Sequence, residues 1–455
     1  MHIIISLLLL TLSSNTLALT AAILDNGVDY SHTEFQGKIK INYKESENSH
    51  DDDHNGYIDD VRGWNFVTMS NKVFDFDRDI EITDEIKLYY ALKAKNSLGT
   101  ITEKEEETYN KLKKDKELKK QRKALTSWMH GTHIGAIAVN ATDLPRELSQ
   151  RDLKALIITY LGKAESGPAK SPRFEPTASQ STTRRNNHIR HHWKKYLDWQ
   201  INKLKISIDY GKSKAVVFNG SFGQSFKGAT EMVSSAHKEQ FGEDLSEKLA
   251  KKKALEFMRE LLTRATNLLS KYPNHLFVFS AGNKKSNTDE LLHFPSNVRL
   301  PNVISVGASY KRETMAYFSN FGKNTVDLFA PGVAISSAVP NQEYLKINGT
   351  SQAAPFVTNT ALKAFTLAKK LDVKLTPKLL KYIMMNTVDK RDELTEKSVS
   401  SGLVYPERVY TTIRKLNKYG LRKAISNSIK LWPTREIKKS IQLLDDSLFP
   451  DLPSN

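Results

Sequence analysis

Cysteine is absent from the 455-residue sequence, which excludes a disulfide framework and a thiol nucleophile and leaves the redox compartment open. Long apolar runs are scarce as well. The run near the N-terminus, Ile3 to Leu12, is too short to span a bilayer, so we expect no transmembrane anchor. Basic stretches with interleaved aromatic residues are also missing, and we therefore expect no nucleic-acid partner.

Positive charge is in excess, since 68 Lys and Arg residues against 51 Asp and Glu residues give a formal net charge of +17. Such a charge favours attraction to anionic surfaces or acidic substrates. Much of the excess lies in two regions that interrupt the apolar segments, residues 83–128 and 162–195. A solvated charged face is the simpler explanation for both regions.

One serine lies in a setting that suits a nucleophile. The stretch Asn348-Gly-Thr-Ser-Gln-Ala-Ala-Pro-Phe-Val-Thr358 places Ser351 among small residues, and Pro355 suits the first turn of a helix. Ser351 therefore lies at a predicted helix N-terminus, where free N–H groups and the helix dipole favour developing negative charge. Taken alone, a serine at such a position is more often a helix cap than a catalyst.

A serine nucleophile needs a base, and the base needs a partner that holds its tautomer. Among twelve histidines, His130 has the most suitable surroundings, because it comes just before a segment of small residues that predicts a closely packed helix. His133 follows three positions later, but the glutamate of the zinc-binding His-Glu-x-x-His pattern is missing, which disfavours a metal pair. The remaining partner is Asp25, at the end of an apolar run that predicts a buried strand.

The order Asp25, His130, Ser351 is the order of the catalytic residues in subtilisin. Around them, Leu24-Asp-Asn-Gly-Val-Asp29, His130-Gly-Thr-His133 and Gly349-Thr-Ser-Gln-Ala-Ala-Pro355 resemble three motifs of the subtilisin-like serine peptidases, the subtilases. The resemblance implies a three-layer α/β fold, with a mainly parallel sheet and helices on both faces. The alternation of apolar runs with helical stretches predicts the same architecture.

Further segments extend the resemblance. Phe277-Val-Phe-Ser-Ala-Gly-Asn283 is similar to the family segment whose asparagine donates a hydrogen bond to the oxyanion. Residues 216–223 are similar to the strand that pairs with the extended substrate backbone. The resemblance thus implies catalytic roles for Asp25, His130, Ser351 and Asn283, and substrate-binding roles for Ser221, Phe222, Gly223, Ala281 and Gly282.

Two insertions depart from the family pattern. Residues 83–128 are dense in Glu and Lys at i, i+4 spacing, which predicts a solvated helical hairpin rather than a partner-binding arm. Residues 162–195 are rich in Pro, Ser, Thr and Arg, which predicts a mobile loop. Its His188, His191 and His192 have no carboxylate or cysteine around them, which disfavours a metal site.

An acidic stretch, Asp51-Asp-Asp-His-Asn-Gly-Tyr-Ile-Asp-Asp60, matches part of an EF-hand-type calcium loop. Arg62 occupies the position of the bidentate glutamate, so a complete hand is excluded and any site is smaller. Subtilases often bind calcium for stability, and a solvent-exposed acidic turn is the alternative interpretation. The predicted ligands are Asp51, Asp53, Asn55, Asp59 and the carbonyl of Tyr57.

The N-terminal apolar run is followed by Thr16-Leu-Ala18, which suits signal-peptide cleavage, although no Lys or Arg precedes the run. We assign residues 1–18 to a signal peptide, residues 19–416 to the peptidase domain and residues 417–455 to a basic C-terminal extension with a small helical part. The resemblance implies a pro-segment before the strand that carries Asp25. Either the chain dispenses with that segment, or an upstream portion is missing from this sequence.

The resulting hypothesis is a secreted or periplasmic, monomeric serine endopeptidase that acts on protein or peptide substrates through a catalytic triad and an acyl-enzyme. Its chemistry requires no cofactor, and calcium has a structural role. The alternative is a non-catalytic binding protein on the same scaffold, whose basic insertions hold an anionic partner. The presence of all four chemical residues favours the enzyme, and the missing pro-segment favours the alternative.

Overall fold

The computed structural model describes residues 18–162 and 182–434, with side chains in α4 from residue 193 onward and at residue 191. The strands of this part of the chain are β1 (Leu19–Asp25), β2 (Gly63–Asn65), β3 (Leu153–Thr159), β4 (Val217–Gly220), β5 (Gln224–Ser225), β6 (Leu276–Ser280), β7 (His293–Phe294), β8 (Val303–Tyr310), β9 (Thr314–Met315), β10 (Leu328–Pro331), β11 (Ile335–Val339), β12 (Glu343–Ile347), β13 (Asp389–Lys390) and β14 (Gly402–Leu403).

Ten of these strands form a central sheet in the order β13-β14-β10-β8-β6-β4-β1-β3-β2, with β9 paired to β8. The pairs β13–β14 and β8–β9 are antiparallel, and the other neighbouring pairs are parallel. Two short antiparallel pairs, β5–β7 and β11–β12, lie outside this sheet. The predicted mainly parallel sheet is therefore confirmed.

The helices of the described residues are α1 (Asp84–Leu98), α2 (Glu103–Lys114), α3 (Lys116–Ala138), α4 (Thr182–Gly211), α5 (Phe226–Phe241), α6 (Glu247–Leu269), α7 (Thr350–Lys370), α8 (Pro377–Asn386), α9 (Pro406–Tyr419) and α10 (Leu421–Leu431). Within the same residues, no helix is both long enough and apolar enough to cross a bilayer. The predicted start of a C-terminal extension at residue 417 falls inside α9.

Helices cover both faces of the central sheet, as the three-layer prediction requires. Successive side chains of a strand point to opposite faces. Accordingly, Ala21 and Ile23 of β1 pack in a core with α3, α7, α8 and α9, whereas Ala22 and Leu24 pack in a second core with α4, α5 and α6. Strands buried on both faces have nearly continuous apolar sequences, which explains the composition of β1, β3 and β6.

The first insertion, residues 83–128, is more closely integrated than the predicted solvated hairpin. It forms α1, α2 and the first half of α3, and a third core cluster joins these helices to β11 and β12. Tyr89, Leu125 and Trp128 are buried in that cluster because the insertion has an apolar stripe of its own. A hydrogen bond of 2.7 Å from Asn348 Nδ2 to Ser97 Oγ also ties α1 to the turn that precedes Ser351.

The second insertion was predicted as a mobile loop over residues 162–195, and this prediction is wrong for its second half. Helix α4 begins at Thr182, because the buried side chains of Trp193, Leu197 and Leu204 pack in the core that also contains α6. Residues 163–181 and the side chains of His188 and His192 lie outside the described residues, and His191 is exposed.

Candidate active site

Strand β1 ends in Asp25, whose side chain is fully buried. Its Oδ1 accepts hydrogen bonds of 2.8 Å from the backbone N–H of Asn26 and from Nδ1 of His130. Its Oδ2 is buried, with no hydrogen-bond partner among the described residues. A buried carboxylate with so few donors depends on a cationic or polar partner, and His130 is that partner here.

His130 lies inside helix α3, not just before a helix as the sequence analysis predicted. The helix continues from the insertion through His130 without interruption. It approaches the turn after β1 closely: the N–H of Gly131 donates to Asn26 Oδ1 at 2.8 Å, and a Cβ on Gly131 would collide with the carbonyl oxygen of Gly27. A glycine at position 131 thus lets α3 bring His130 to Asp25.

The electrostatics of His130 are governed by burial and by Asp25. Burial lowers the pKa of His130, but the charge of Asp25 and its hydrogen bond raise that pKa to a net value above the ordinary one. Because Nδ1 faces the carboxylate, Nε2 is the nitrogen available for proton transfer. His133, by contrast, bonds through Nε2 to the carbonyl of Leu345 at 3.1 Å, and burial lowers its pKa to about 3.

Ser351 is the second residue of α7, a helix that begins at Thr350. Pro355 lies one turn inside this helix rather than at its start. Its missing N–H leaves the carbonyl of Ser351 without the usual partner four residues on, and the hydroxyl of Ser221 donates to that carbonyl at 2.9 Å instead. The hydroxyl of Ser351 in turn donates to the carbonyl of Ser221 at 3.1 Å.

Asn283 follows β6 and is held by the residue that precedes Ser351. Its Oδ1 accepts hydrogen bonds from the backbone N–H and the hydroxyl of Thr350, at 2.8 and 2.9 Å. These bonds fix the amide so that Nδ2 points toward Gly349, 3.6 Å from the position that a Cβ on Gly349 would take. The backbone N of Ser351, in the first helical turn, also lies 3.6 Å from that position, so Nδ2 and this N–H are two candidate oxyanion donors beside Ser351.

The predicted substrate-binding residues form two adjacent backbone segments. Ser221–Gly223 follows β4 and Ala281–Gly282 follows β6, and β4 and β6 are parallel neighbours. The two segments thus leave the sheet at the same edge. Ser221 and Ala281 are buried, so Phe222, Gly223 and Gly282 make up the accessible surface. Phe222 packs on Tyr160, with ring centroids 4.8 Å apart.

The structure brings together two of the predicted calcium ligands with one residue that the sequence analysis missed. Carboxylate oxygens of Asp51, Asp53 and Glu45 lie within 4.8 Å of one another. Both oxygens of Glu45 accept backbone hydrogen bonds, from Asp53 at 2.9 Å and from Asp59 at 3.0 Å, which holds Glu45 against the loop. Three carboxylates so close together form an oxygen-rich set of the kind that calcium prefers.

Two of the other predicted ligands, Asp59 and Asn55, accept hydrogen bonds from backbone N–H groups of the loop. Asp59 directs its carboxylate to the backbone N–H groups of Asn48 and Ser49, at 3.0 to 3.1 Å, and not to the three-carboxylate cluster. Asn55 Oδ1 accepts from the N–H of Tyr57 at 2.8 Å. Among the described residues, the carboxylates that lie within 4.8 Å of one another are those of Glu45, Asp51 and Asp53.

Taken together, a buried aspartate paired with a histidine, a serine at a helix N-terminus and a nearby amide donor lie at one edge of a parallel sheet. This arrangement is typical of serine hydrolases. A sequence profile described as the subtilase family matches residues 18–405, which is most of the chain. The chain belongs to the subtilase family of serine proteases.

Several curated proteins are similar to parts of this chain. The extracellular basic protease of Dichelobacter nodosus is 32% identical over 153 residues, which cover 32% of this chain and 24% of that protein. Alkaline elastase YaB of Bacillus sp. (strain YaB) is 32% identical over 29% of this chain and 32% of its own length. Subtilisin-like proteinase Mp1 of Magnaporthiopsis poae is 42% identical over 20% of this chain and 22% of its own length. Each match spans less than a third of the relative.

Solved structures give more distant matches over more of the chain. A lanthipeptide protease has a TM-score of 0.48 and 17% identity, covering 85% of this chain and 86% of that one. The PatG macrocyclase in complex with peptide has a TM-score of 0.47 and 17% identity, covering 88% and 92%. A cold-adapted subtilisin-like serine proteinase has a TM-score of 0.39 and 18% identity, covering 85% and 86%.

Proposed function

We propose that this protein is a serine endopeptidase that hydrolyses peptide bonds through an acyl-enzyme. The observation that carries the proposal is the 2.8 Å hydrogen bond from His130 Nδ1 to the buried Asp25, which leaves Nε2 available as the base. Membership of the subtilase family supports the same assignment. The order of the three residues along the chain and the position of Ser351 at a helix N-terminus add further support.

In the proposed first step, the hydroxyl of Ser351 leaves the carbonyl of Ser221 and turns to His130. Nε2 of His130 takes the hydroxyl proton while Oγ bonds to the scissile carbonyl carbon, and the C=O electron pair moves onto the carbonyl oxygen. Asn283 Nδ2 and the N–H of Ser351 donate to that oxyanion. Asp25 holds the imidazole in the right tautomer and stabilises its charged form.

In the second step, the tetrahedral intermediate collapses and the C–N bond breaks. His130 gives its proton to the leaving amine, and the acyl group remains on Ser351 as an ester. A water molecule then attacks the ester while His130 takes its proton. The carboxylic acid product departs and Ser351 regains its proton, so the enzyme returns to its starting state.

The substrate would bind in extended form along the accessible backbone of residues 221–223 and 281–282. Extended peptides pair with exposed backbone by strand addition, which supplies affinity without selecting side chains. This binding mode suits an endopeptidase, because the chain can continue on both sides of the scissile bond.

The acidic loop of this protein would hold a structural calcium ion through the carboxylates of Glu45, Asp51 and Asp53. The ion would offset the mutual repulsion of three carboxylates and would take no part in peptide hydrolysis. We also infer secretion, because the apolar run of residues 3–12 and the small residues up to Ala18 suit a signal peptide. Protein that stays inside the cell with Met1 still at its N-terminus would refute that inference.

The decisive experiment combines casein cleavage with labelling by a serine-directed fluorophosphonate. Wild-type protein should cleave casein and take the label, and Ser351→Ala should do neither while it melts at the wild-type temperature. Ser270→Ala, which changes an exposed serine at the end of α6, is the matched control and should behave as wild type. Labelling of Ser351→Ala at the wild-type rate would refute the assignment of the nucleophile. A wild type that binds casein without cleaving it would favour the non-catalytic alternative.

A further inference from the structure

A buried histidine lies directly behind the two backbone segments that line the proposed substrate cleft. His293 begins β7, which pairs with β5 just after Ser221–Gly223. A Cβ placed on Gly223 would lie 2.8 Å from His293 Nε2, and one placed on Gly282 would lie 2.7 Å from the same atom. One imidazole therefore contacts the backbone of both segments.

This contact limits the depth of the cleft between the segments. Gly223 is exposed and Gly282 is half-buried, whereas only 4% of His293 is accessible. The imidazole therefore fills the space below the two glycines, so a substrate side chain that enters between them meets its edge. Asn320 stiffens one wall, since its Nδ2 donates to the carbonyl of Ala281 at 2.8 Å. A cleft with this floor would accept a short side chain and exclude a long one.

The tautomer of His293 follows from its second nitrogen. Nδ1 lies 2.8 Å from the hydroxyl of Ser296, which has no other hydrogen-bond partner within residues 18–162 and 182–434. A hydroxyl that donates to Nδ1 satisfies both groups and leaves the ring proton on Nε2, facing the glycines. Burial lowers the pKa of His293 to about 4, so the ring is neutral at physiological pH and offers a single N–H donor.

We propose that His293 is the floor of the pocket for the residue before the scissile bond, P1, and that it selects short side chains ending in an acceptor oxygen, asparagine foremost. The inference rests on the proposed function of Ser351 and specifies its substrates. When P1 is leucine instead of asparagine, the Nε2–H of His293 has no acceptor. We therefore expect kcat/KM to be about 10- to 100-fold higher for P1 asparagine than for P1 leucine.

The test uses three quenched fluorescent peptides that differ only at P1. Asparagine supplies the acceptor, leucine has nearly the same size without it, and phenylalanine is too long for the pocket. Wild type should cleave the asparagine peptide at least about tenfold faster than the leucine peptide, and the phenylalanine peptide slowest. A wild type that cleaves all three at similar kcat/KM would overturn the inference.

Two variants separate the hydrogen bond from the shape of the pocket. His293→Leu retains bulk without a donor, so the preference for asparagine over leucine should disappear while phenylalanine stays excluded. His293→Ala opens the floor, so cleavage after phenylalanine should rise by about tenfold or more. His293→Gln restores an N–H near the position of Nε2 and should recover part of the asparagine preference. A preference that survives in His293→Leu would overturn the role of His293.

Fluorophosphonate labelling distinguishes the two levels of failure, because the label reacts with Ser351 and needs no P1 side chain. Protein that takes the label but shows no P1 preference refutes this inference alone. Protein that neither takes the label nor cleaves any of the three peptides refutes the proposed function and this inference with it. Equal labelling of wild type and the three His293 variants confirms that the variants are folded.

Discussion

Replacement of Asn283 by alanine tests the proposed oxyanion site most directly. Nδ2 is one of the two proposed oxyanion donors, and loss of this donor should lower kcat by roughly 10²–10³, the size known for the corresponding donor in subtilisin. This factor corresponds to about 2.7–4 kcal/mol of transition-state stabilisation. KM should change little, because the charge on the oxygen develops only after the substrate has bound.

The structure adds a second effect, because Asn283 Oδ1 also accepts from the N–H and the hydroxyl of the fully buried Thr350. Alanine at position 283 leaves the buried N–H unpaired, at a cost of about 1–3 kcal/mol, so the variant should also melt at a lower temperature. The hydroxyl loses its acceptor but keeps the bond from the N–H of Gly282. Asn283→Asp separates the effects: it retains the acceptor but places a carboxylate oxygen where Nδ2 was. We expect it to melt close to wild type and to lose at least as much kcat as the alanine variant.

Thr350→Val completes the series. It retains Nδ2 but removes the hydroxyl that donates to Asn283 and accepts from the N–H of Gly282 at 3.0 Å. Loss of an orienting hydrogen bond worth about 0.5–1.5 kcal/mol should lower kcat by up to about tenfold, clearly less than in either Asn283 variant. Initial rates with one peptide and thermal melts are measured for wild type and for the three variants. If Asn283→Asp melted normally and retained kcat within threefold of wild type, other donors would hold the oxyanion.

Two further predictions concern the acidic loop and the contact below His130. Calcium should raise the melting temperature of wild type in proportion to the logarithm of its concentration, and a chelator should reverse the shift. Asp51→Asn/Asp53→Asn and Glu45→Gln should both lose most of that shift; an unchanged shift in either would remove those residues from the site. Gly131→Ala should lower kcat and stability together, because the new methyl group would push α3 away from Gly27; crystals with wild-type spacing between α3 and β1 would refute this reasoning.

The elements that the sequence predicted well are those that can be recognised from the residues of one short segment. The apolar run of β1 and the small residues of α7 indicate burial by themselves, and the three-layer fold follows from their alternation. The start of α3 differs from the prediction because the change from charged to small residues near His130 is not a helix boundary. No glycine or proline lies between residues 116 and 130, so nothing in that stretch ends the helix.

The elements that the sequence did not predict depend on distant contacts or on averaged composition. Helix α4 is not evident from the composition of residues 162–195, because Pro168, Pro172 and Pro176 all precede it, while the residues after Thr182 contain no helix breaker. His293 and Glu45 carry no motif of their own. Their positions follow from the pairing of β5 with β7 and from the fold of the acidic loop, neither of which is encoded in local spacing.

The position of helix α7 in the sequence also affects when the core can form during synthesis. It carries Ser351, and 17 of its 21 residues are buried against the sheet and against α3 and α9. During synthesis, strands β1, β3, β4 and β6 emerge before α7. One apolar face of the growing sheet therefore stays exposed until α7 is made. The proposed nucleophile and the helix that covers this face are thus synthesised together. A chain that ends before Thr350 therefore lacks both a closed core and the proposed nucleophile.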